Sequence, residues 1–228
     1  MSPQEWQAVL LSLKVSALAV GFGLPLALLT ALAIARGRFP GRSLLNAAVH
    51  LPMVLPPVVT GWLLLIVFGR YGVIGAWLNQ AFGVRLVFTT SGAVLACAVM
   101  VFPLMMRTIR LSLEAIDPAL DAAARSLGAV WLDRFVTVTL PLAAPGVLVA
   151  AVVGFAASLG EFGAVITFAA NIPGRTQTLP LAIYSALQAP GGEATAARMS
   201  LVSIALAACA LLLSEVLARG MQAGVGRR

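Results

Sequence analysis

Long apolar runs, interrupted by charges at wide intervals, dominate the sequence. Charge-free stretches cover residues 15–35, 43–69, 86–106, 135–160 and 199–214. A helix crosses about 30 Å of hydrocarbon with roughly 20 residues, so each stretch can supply a span, the last with help from its flanks. The expected spans are approximately 12–35, 45–68, 88–111, 141–167 and 197–218, within one transmembrane domain over 8–219. A further charge-free stretch, 176–192, contains Pro180 and ends in Pro190-Gly191-Gly192. Its clean apolar part, 179–187, is too short to span, so a short re-entrant or interfacial helix over 176–190 is expected. Gly21-Phe22-Gly23-Leu24-Pro25, Pro52, Pro56-Pro57 and Pro103 lie inside the spans. Proline removes a backbone bond there and kinks the helix, which suits either ordinary kinked packing or helices that line a moving path.

Composition turns this pattern into a class. The 228 residues are 61% hydrophobic and 10% charged, with a mean hydropathy of +1.00. Soluble domains carry about 45–50% apolar and about 25% charged residues, so this chain has too few charges to cover a water-facing surface. An ordinary soluble enzyme and a disordered tail are excluded. The net charge of +7 is not a nucleic-acid signal, because no basic face exists to carry it. The reading is an all-α integral membrane protein of about five transmembrane helices.

The same charges orient it. With the N-terminus outside, the inner side holds Arg36, Arg38, Arg42, Arg107, Arg110, Arg125, Arg134, Arg219, Arg227 and Arg228, ten of the fifteen Lys and Arg. Lys14, Arg70, Arg85, Arg175 and Arg198 fall outside. Positive charge collects on the cytoplasmic side, which predicts N-terminus out, C-terminus in, and residues 107–134 in the cytoplasm. Glu5 and the absence of a basic start argue against a cleaved signal peptide; the first run reads as an uncleaved helix.

Reactive residues are sparse. Cys97 and Cys209 lie in apolar runs and read as small hydrophobes, and no Cys/His cluster suggests a metal. His50 reads as an interfacial or satisfied histidine. The only lysine, Lys14, has no glycine-rich loop before it, so the chain carries no ATP-binding P-loop.

The longest extramembrane segment, 117–137, is the most informative. Asp117 is a good N-cap, Pro118 suits the first helical position, Asp121 favours the first turn, and Ala122, Ala123 and Ala124 are strong helix formers. Gly128 suits a left-handed C-cap, and a second short helix is expected over 129–135. The segment offers small and apolar residues: Ala122, Ala123, Leu127, Val130 and Trp131. From composition, docking into a partner's groove and packing on the chain's own helix ends are equally open.

The spacing here resembles the cytoplasmic loop of permease subunits of ATP-binding-cassette importers. That pattern is Glu-Ala-Ala, three residues, Gly, nine residues, Ile, one residue, Leu-Pro. Ala123 and Ala124 stand at the two alanines and Gly128 at the glycine, and Val138, Leu140 and Pro141 follow at the right distance. Ala122 replaces the Glu, with Asp121 beside it, and Val138 replaces Ile. Runs 158–168, 171–180, 51–61 and 6–14 further resemble the molybdate permeases among these importers. The resemblance implies the permease fold of type I importers, a cytoplasmic (inner) membrane location, and a coupling loop that docks a separate ATPase. ATP and Mg would be used by that partner, with no cofactor in this chain. The other implied partners are a second copy of the chain, a periplasmic molybdate-binding protein and membrane lipid, with no nucleic acid. Tungstate, sulfate or thiosulfate are the neighbouring substrates. An ion-coupled secondary transporter is the alternative from another class, though such proteins use midplane carboxylates and internal repeats.

Glu161 is the one carboxylate within an apolar region. Counted from Pro141 it lies about 30 Å along a helix, near the outer surface. A carboxylate would repel an oxyanion, so a structural or gate-holding ion pair with Lys14 or Arg175 is expected rather than direct ligation. Thr60, Ser158, Thr167 and Asn171 are candidate oxyanion donors, with helix packing the commoner use of such residues. The outer arginines Arg70, Arg85, Arg175 and Arg198 read either as solvated loop charges or as groups that attract anions or meet a binding protein.

Overall fold

The computed structural model describes residues 1–37 and 39–225. Arg38, Arg227 and Arg228, counted above toward the inner side, lie outside the described residues. The long helix α1 (Pro3–Arg36) starts at a capping box: Glu5 N–H donates to Ser2 Oγ at 3.2 Å, and Ser2 N–H donates to Glu5 Oε2 at 2.9 Å. Its 34 residues make a rod of about 50 Å at 1.5 Å per residue. Then follow α2 (Arg42–Val54), α3 (Pro57–Phe68), α4 (Val73–Phe82) and α5 (Thr90–Glu114). The loop helices are α6 (Pro118–Ser126) and α7 (Trp131–Arg134), and a π-helical segment (Phe135–Thr139) leads into α8 (Leu140–Leu159). The chain ends with α9 (Gly163–Ala169), α10 (Leu179–Gln188) and α11 (Glu193–Val225).

Among the described residues four helices are long and apolar enough to cross a membrane, and a fifth span results if α2 and α3 are counted together. The expected span 45–68 is not straight: α2 and α3 meet at 118°. Pro56 and Pro57 explain the break. Neither supplies an N–H, and each pushes the residue before it out of the helical region. Leu55 is accordingly extended, at φ −75° and ψ 146°. The fourth span runs without a break from Trp131 to Leu159, and residues 160–162 separate it from α9 where 141–167 reads as one span.

Helix α5 is the central element, packed between α1 and α8. Met105 fills the junction of all three. A Cβ on Gly23 of α1 would stand 2.8 Å from Met105 Cε, and one on Gly154 of α8 would stand 2.7 Å from Met105 Cγ. Small residues let backbones approach closely where hydrocarbon gives helices no hydrophobic reason to associate, and methionine shapes itself to the space left. A second close approach joins α3 to α9, where a Cβ on Gly61 would stand 2.8 Å from both Ala164 O and Thr167 Cβ. Helix α10 is ten residues long, with Leu179, Leu181 and Ala182 buried. Its start is held by Leu179 N–H donating to Ser12 Oγ at 2.6 Å.

Polar contacts gather at the two ends. At one, Arg198 donates to Glu5 Oε1 at 2.8 Å, and Thr90 Oγ1 donates to the Arg175 carbonyl at 2.8 Å. At the other, Arg36 donates to Thr139 Oγ1 at 2.9 Å and Arg110 to Asn46 Oδ1 at 3.0 Å. Between them the outward faces are apolar: Phe22, Leu26 and Leu29 on α1, and Leu201, Ile204 and Leu211 on α11, are all exposed. Surfaces of this extent are covered by lipid or by another chain.

Gly61→Ala should lower the thermal unfolding temperature of the purified protein, since the added methyl separates α3 from α9 at a cost of about 1–3 kcal/mol. Gly21→Ala is the control: nothing lies within 4 Å of its added Cβ, and the helix gains about 0.5–1 kcal/mol. Equal melting of the two variants would contradict the packing described.

Candidate functional site

The loop after α5 is shaped by its caps. Asp117 Oδ1 accepts from Ala119 N–H at 2.8 Å, and Pro118 occupies the first position of α6. At the other end Ala129 N–H donates to Ala124 O at 3.1 Å and Gly128 N–H to Arg125 O at 3.0 Å. That pair of bonds is a Schellman closure, and it requires the left-handed residue supplied by Gly128 at φ +84°. Nothing lies within 4 Å of a Cβ built there, so the glycine serves conformation and not packing. Ala122, Ala123, Leu127, Val130 and Trp131 all face outward. Of the two readings open in the sequence, the face is therefore not spent on the chain's own helix ends. Trp131 stacks on Phe135, centroids 5.7 Å apart at 7°.

Asp121 points the other way, into the protein. Its Oδ2 meets Arg125 at 3.2 Å and Arg134 at 3.5 Å, and its Oδ1 meets Arg36 at 3.9 Å. Arg36 also donates to Thr139, a buried residue of the π-helical segment. One carboxylate thus ties α6 to the end of α1 and to the foot of α8. The Arg125 contact is an exposed i,i+4 pair worth about 0.3–0.5 kcal/mol. The enclosed contact with Arg134, 13% exposed, carries more, because it is less screened. Arg36, Glu114, Ile116, Asp121 and Arg125 line a cavity of about 720 Å³ between α1, α5 and α6.

The expected motif residues Val138, Leu140 and Pro141 lie where the helix changes register. Leu140 N–H donates to Phe135 O, five residues back. Pro141 has no N–H for the carbonyl of residue 137, and its ring crowds that turn; the wider π turn accommodates both. The sequence pattern does not show that Arg36, Arg134 and Thr139 are the partners of Asp121. The usable signal is that Arg36 ends a span on the side assigned to residues 107–134.

Glu161 lies in the gap between α8 and α9. Its Oε1 accepts from Ala164 N–H at 2.9 Å, which caps the start of α9. The expected ion pair with Lys14 or Arg175 is absent: among the described residues Glu161 makes no salt bridge. A helix N-terminus offers a carboxylate the same compensation a cation would. This gap faces the other break. A Cβ on Gly163 would stand 2.7 Å from Pro57 Cβ and 3.2 Å from Val58 N, so the starts of α3 and α9 touch. Thr167 Oγ1 donates to Gly163 O at 2.8 Å, and Asn171 Nδ2 donates to Ser185 Oγ at 2.7 Å. Among the described residues the buried hydroxyls of Thr60 and Ser158 have no partner. Thr176, fully buried and not singled out in the sequence, builds the turn after α9: it donates to Ala170 O at 3.0 Å and accepts from Ile172 N–H at 3.0 Å. That pins Ala170 in a strained conformation, φ 63° and ψ −172°.

Residues 23–223 match the family described as the binding-protein-dependent transport system inner membrane component. The chain belongs to that family. It is an inner-membrane permease component of an ATP-binding-cassette import system, and not an enzyme. The molybdenum transport system permease protein ModB of Escherichia coli (strain K12) is 56% identical over 227 residues, covering 100% of this chain and 99% of that protein. The sulfate transport system permease protein CysT of Salmonella typhimurium is 37% identical, over 100% of this chain and 80% of that one. The fold is that of the permease in a bacterial alginate ABC transporter crystallised with its alginate-bound periplasmic protein. The TM-score is 0.78 at 20% identity, over 97% of this chain and 80% of that one.

The cap on Ala164 N–H needs an oxygen acceptor at residue 161 and not a charge. Glu161→Gln keeps an acceptor for Ala164 N–H and should retain most transport in vesicles. Glu161→Ala removes the cap, costs about 0.5–2 kcal/mol locally, and should lower both transport and melting temperature. Loss of transport in the Gln variant with unaltered melting would mean that the charge itself is needed.

Proposed function

We propose that this permease imports molybdate. Two copies form the path, a separate ATPase docks on the loop over 117–137, and a periplasmic molybdate-binding protein delivers the anion. The observation that carries the substrate is the 56% identity to the molybdenum permease over essentially the whole length of both chains. The arginine distribution supports a periplasmic N-terminus and a loop in the cytoplasm. The single domain is read as residues 8–219, with lipid around its apolar perimeter.

The loop geometry supports a division of labour. The outward face of α6 and its flanks, from Ala122 and Ala123 to Gly128 and Trp131, enters the ATPase groove. Asp121, set behind that face, passes the displacement of α6 to α1 through Arg36 and to α8 through Arg134 and the Arg36–Thr139 bond. Ala124 keeps α6 short and helical, and Val138, Leu140 and Pro141 form the register shift at which α8 receives the push. Closure of the ATPase pair then selects between two arrangements of the permease pair. The breaks at 55–56 and 160–162, whose following helix starts touch, give short helices that turn without unwinding a whole span.

The test is ATP-dependent uptake of labelled molybdate by vesicles holding permease, ATPase and binding protein. Tungstate, nearly the same size, should compete fully, and equimolar sulfate should compete weakly; uptake of sulfate but not molybdate would assign the chain to the sulfate systems instead. In the same vesicles Asp121→Ala should keep the ATPase bound while uptake per ATP falls by about 5- to 150-fold, the span of a coupling free energy of roughly 1–3 kcal/mol. An unchanged ratio of uptake to hydrolysis would rule out transmission through this carboxylate.

A further inference from the structure

At the end of the bundle that carries the N-terminus, three arginines from separate segments line one cavity of about 470 Å³. Arg70 follows α3, Arg85 lies between α4 and α5, and Arg175 lies between α9 and α10. No Asp or Glu lines the cavity, and among the described residues none of the three arginines forms an ion pair. The fourth outer arginine differs: Arg198 is neutralised by Glu5 at 2.8 Å. The cavity therefore concentrates positive charge that the described residues do not balance.

Neutral contacts engage one of these side chains and the backbone of another. Arg85 Nε donates to Asn79 Oδ1 at 3.0 Å, which leaves its outer nitrogens free to donate. The backbone of Arg175 is fixed by Thr90 Oγ1, which donates to its carbonyl at 2.8 Å. Arg70 lies 5.7 Å from the ring centre of Tyr71. Helix α5, 25 residues long, begins at this cavity with Thr89 as its N-cap, so its positive end adds to the field. Phe88, beside Thr89, is in the left-handed region at φ 59°, a conformation an aromatic residue adopts at a cost.

Guanidinium groups match the edges of oxyanions with paired N–H donors. Three of them at one recess repel each other until an anion enters, and a recess with low-dielectric walls strengthens that attraction. We propose that this cavity is an oxyanion-binding site at the outer mouth of the permease, taking a tetrahedral dianion from solution or as it is released above the path. The site is separate from the breaks at Pro56 and Glu161 and from the loop at Asp121. Which dianion is physiological rests on the molybdate reading; the site's preference for a dianion rests on its charge alone.

The test is equilibrium binding of labelled molybdate, tungstate and sulfate to the purified permease–ATPase complex in phosphatidylcholine nanodiscs, without the binding protein. The wild type should show a saturable class of sites that weakens with added salt. Arg85→Gln and Arg175→Gln should each weaken it about tenfold, the effect of losing one charged contact, and Arg85→Lys should fall between. Unaltered melting and ATPase association keep misfolding out of the comparison. The proposal is overturned if binding is the same in wild type and variants, or if no saturable class exists. It is also overturned if the variants weaken only docking of the binding protein, which would make the arginines partners of its carboxylates. The same holds if their effect appears only in phosphatidylglycerol nanodiscs, which would make them contacts for lipid. Arginine-dependent binding of sulfate but not molybdate would keep the site and count against the substrate reading.

Discussion

Hydrocarbon offers a peptide group nothing to bond to, so a chain that interrupts its helices inside a membrane must satisfy the freed groups from its own atoms. Among the described residues the breaks before α3 and before α9 are brought together. The start of α3 and the start of α9 touch through Gly163 and Pro57, and the carboxylate of Glu161 closes the start of α9. Proline at the head of α3 removes a donor that would otherwise have required a partner. The small residues follow from the same need, because Gly61 and Gly163 admit backbone where a side chain would not fit. The long helices α1, α5 and α8 form the frame around this junction, with Met105 filling their common contact.

The loop over 117–137 obeys the opposite rule. Water satisfies its backbone, so α6 is held by caps and not by burial; no residue of α6 is buried. A short helix without a core needs a definite start and stop, supplied by Asp117, Pro118 and Gly128. Its connection to the membrane helices is ionic. Asp121 reaches three arginines, and two of those, Arg36 and Arg134, belong to elements that enter the membrane. Apolar contacts could hold α6 in place, but a charge cluster resists separation over a longer distance and so suits parts that shift against one another.

What was legible in the sequence follows from the range of the forces involved. Caps act over three or four residues, so Asp117-Pro118 and Gly128 could be read directly. Span ends could be read because charge is expensive in hydrocarbon and marks where each helix emerges. The 118° bend between α2 and α3 is hidden by a charge-free stretch from 43 to 69, although Pro56-Pro57 carries its signal. A carboxylate in an apolar region calls for a compensating partner; with α8 ending at Leu159, the backbone of α9 serves in place of a cation. The gathering of Arg70, Arg85 and Arg175, and of Arg36 and Arg134 around Asp121, depends on tertiary contacts between segments far apart in the chain, which no local pattern encodes.

Helix α1 is anchored at both ends by charge: Glu5 to Arg198 at one, Arg36 to Asp121 and Thr139 at the other. At about 50 Å it is longer than the roughly 30 Å of hydrocarbon it crosses. A hydrogen-bonded helix is stiff along its axis, so α1 behaves as a strut with Pro25 as its one built-in point of give. A pull on Arg36 therefore reaches Glu5 along one helix, past the contact of Gly23 with Met105. Along α1, any rearrangement at one end must be accommodated by tilt, by bending at Pro25, or by a matching movement at the other end.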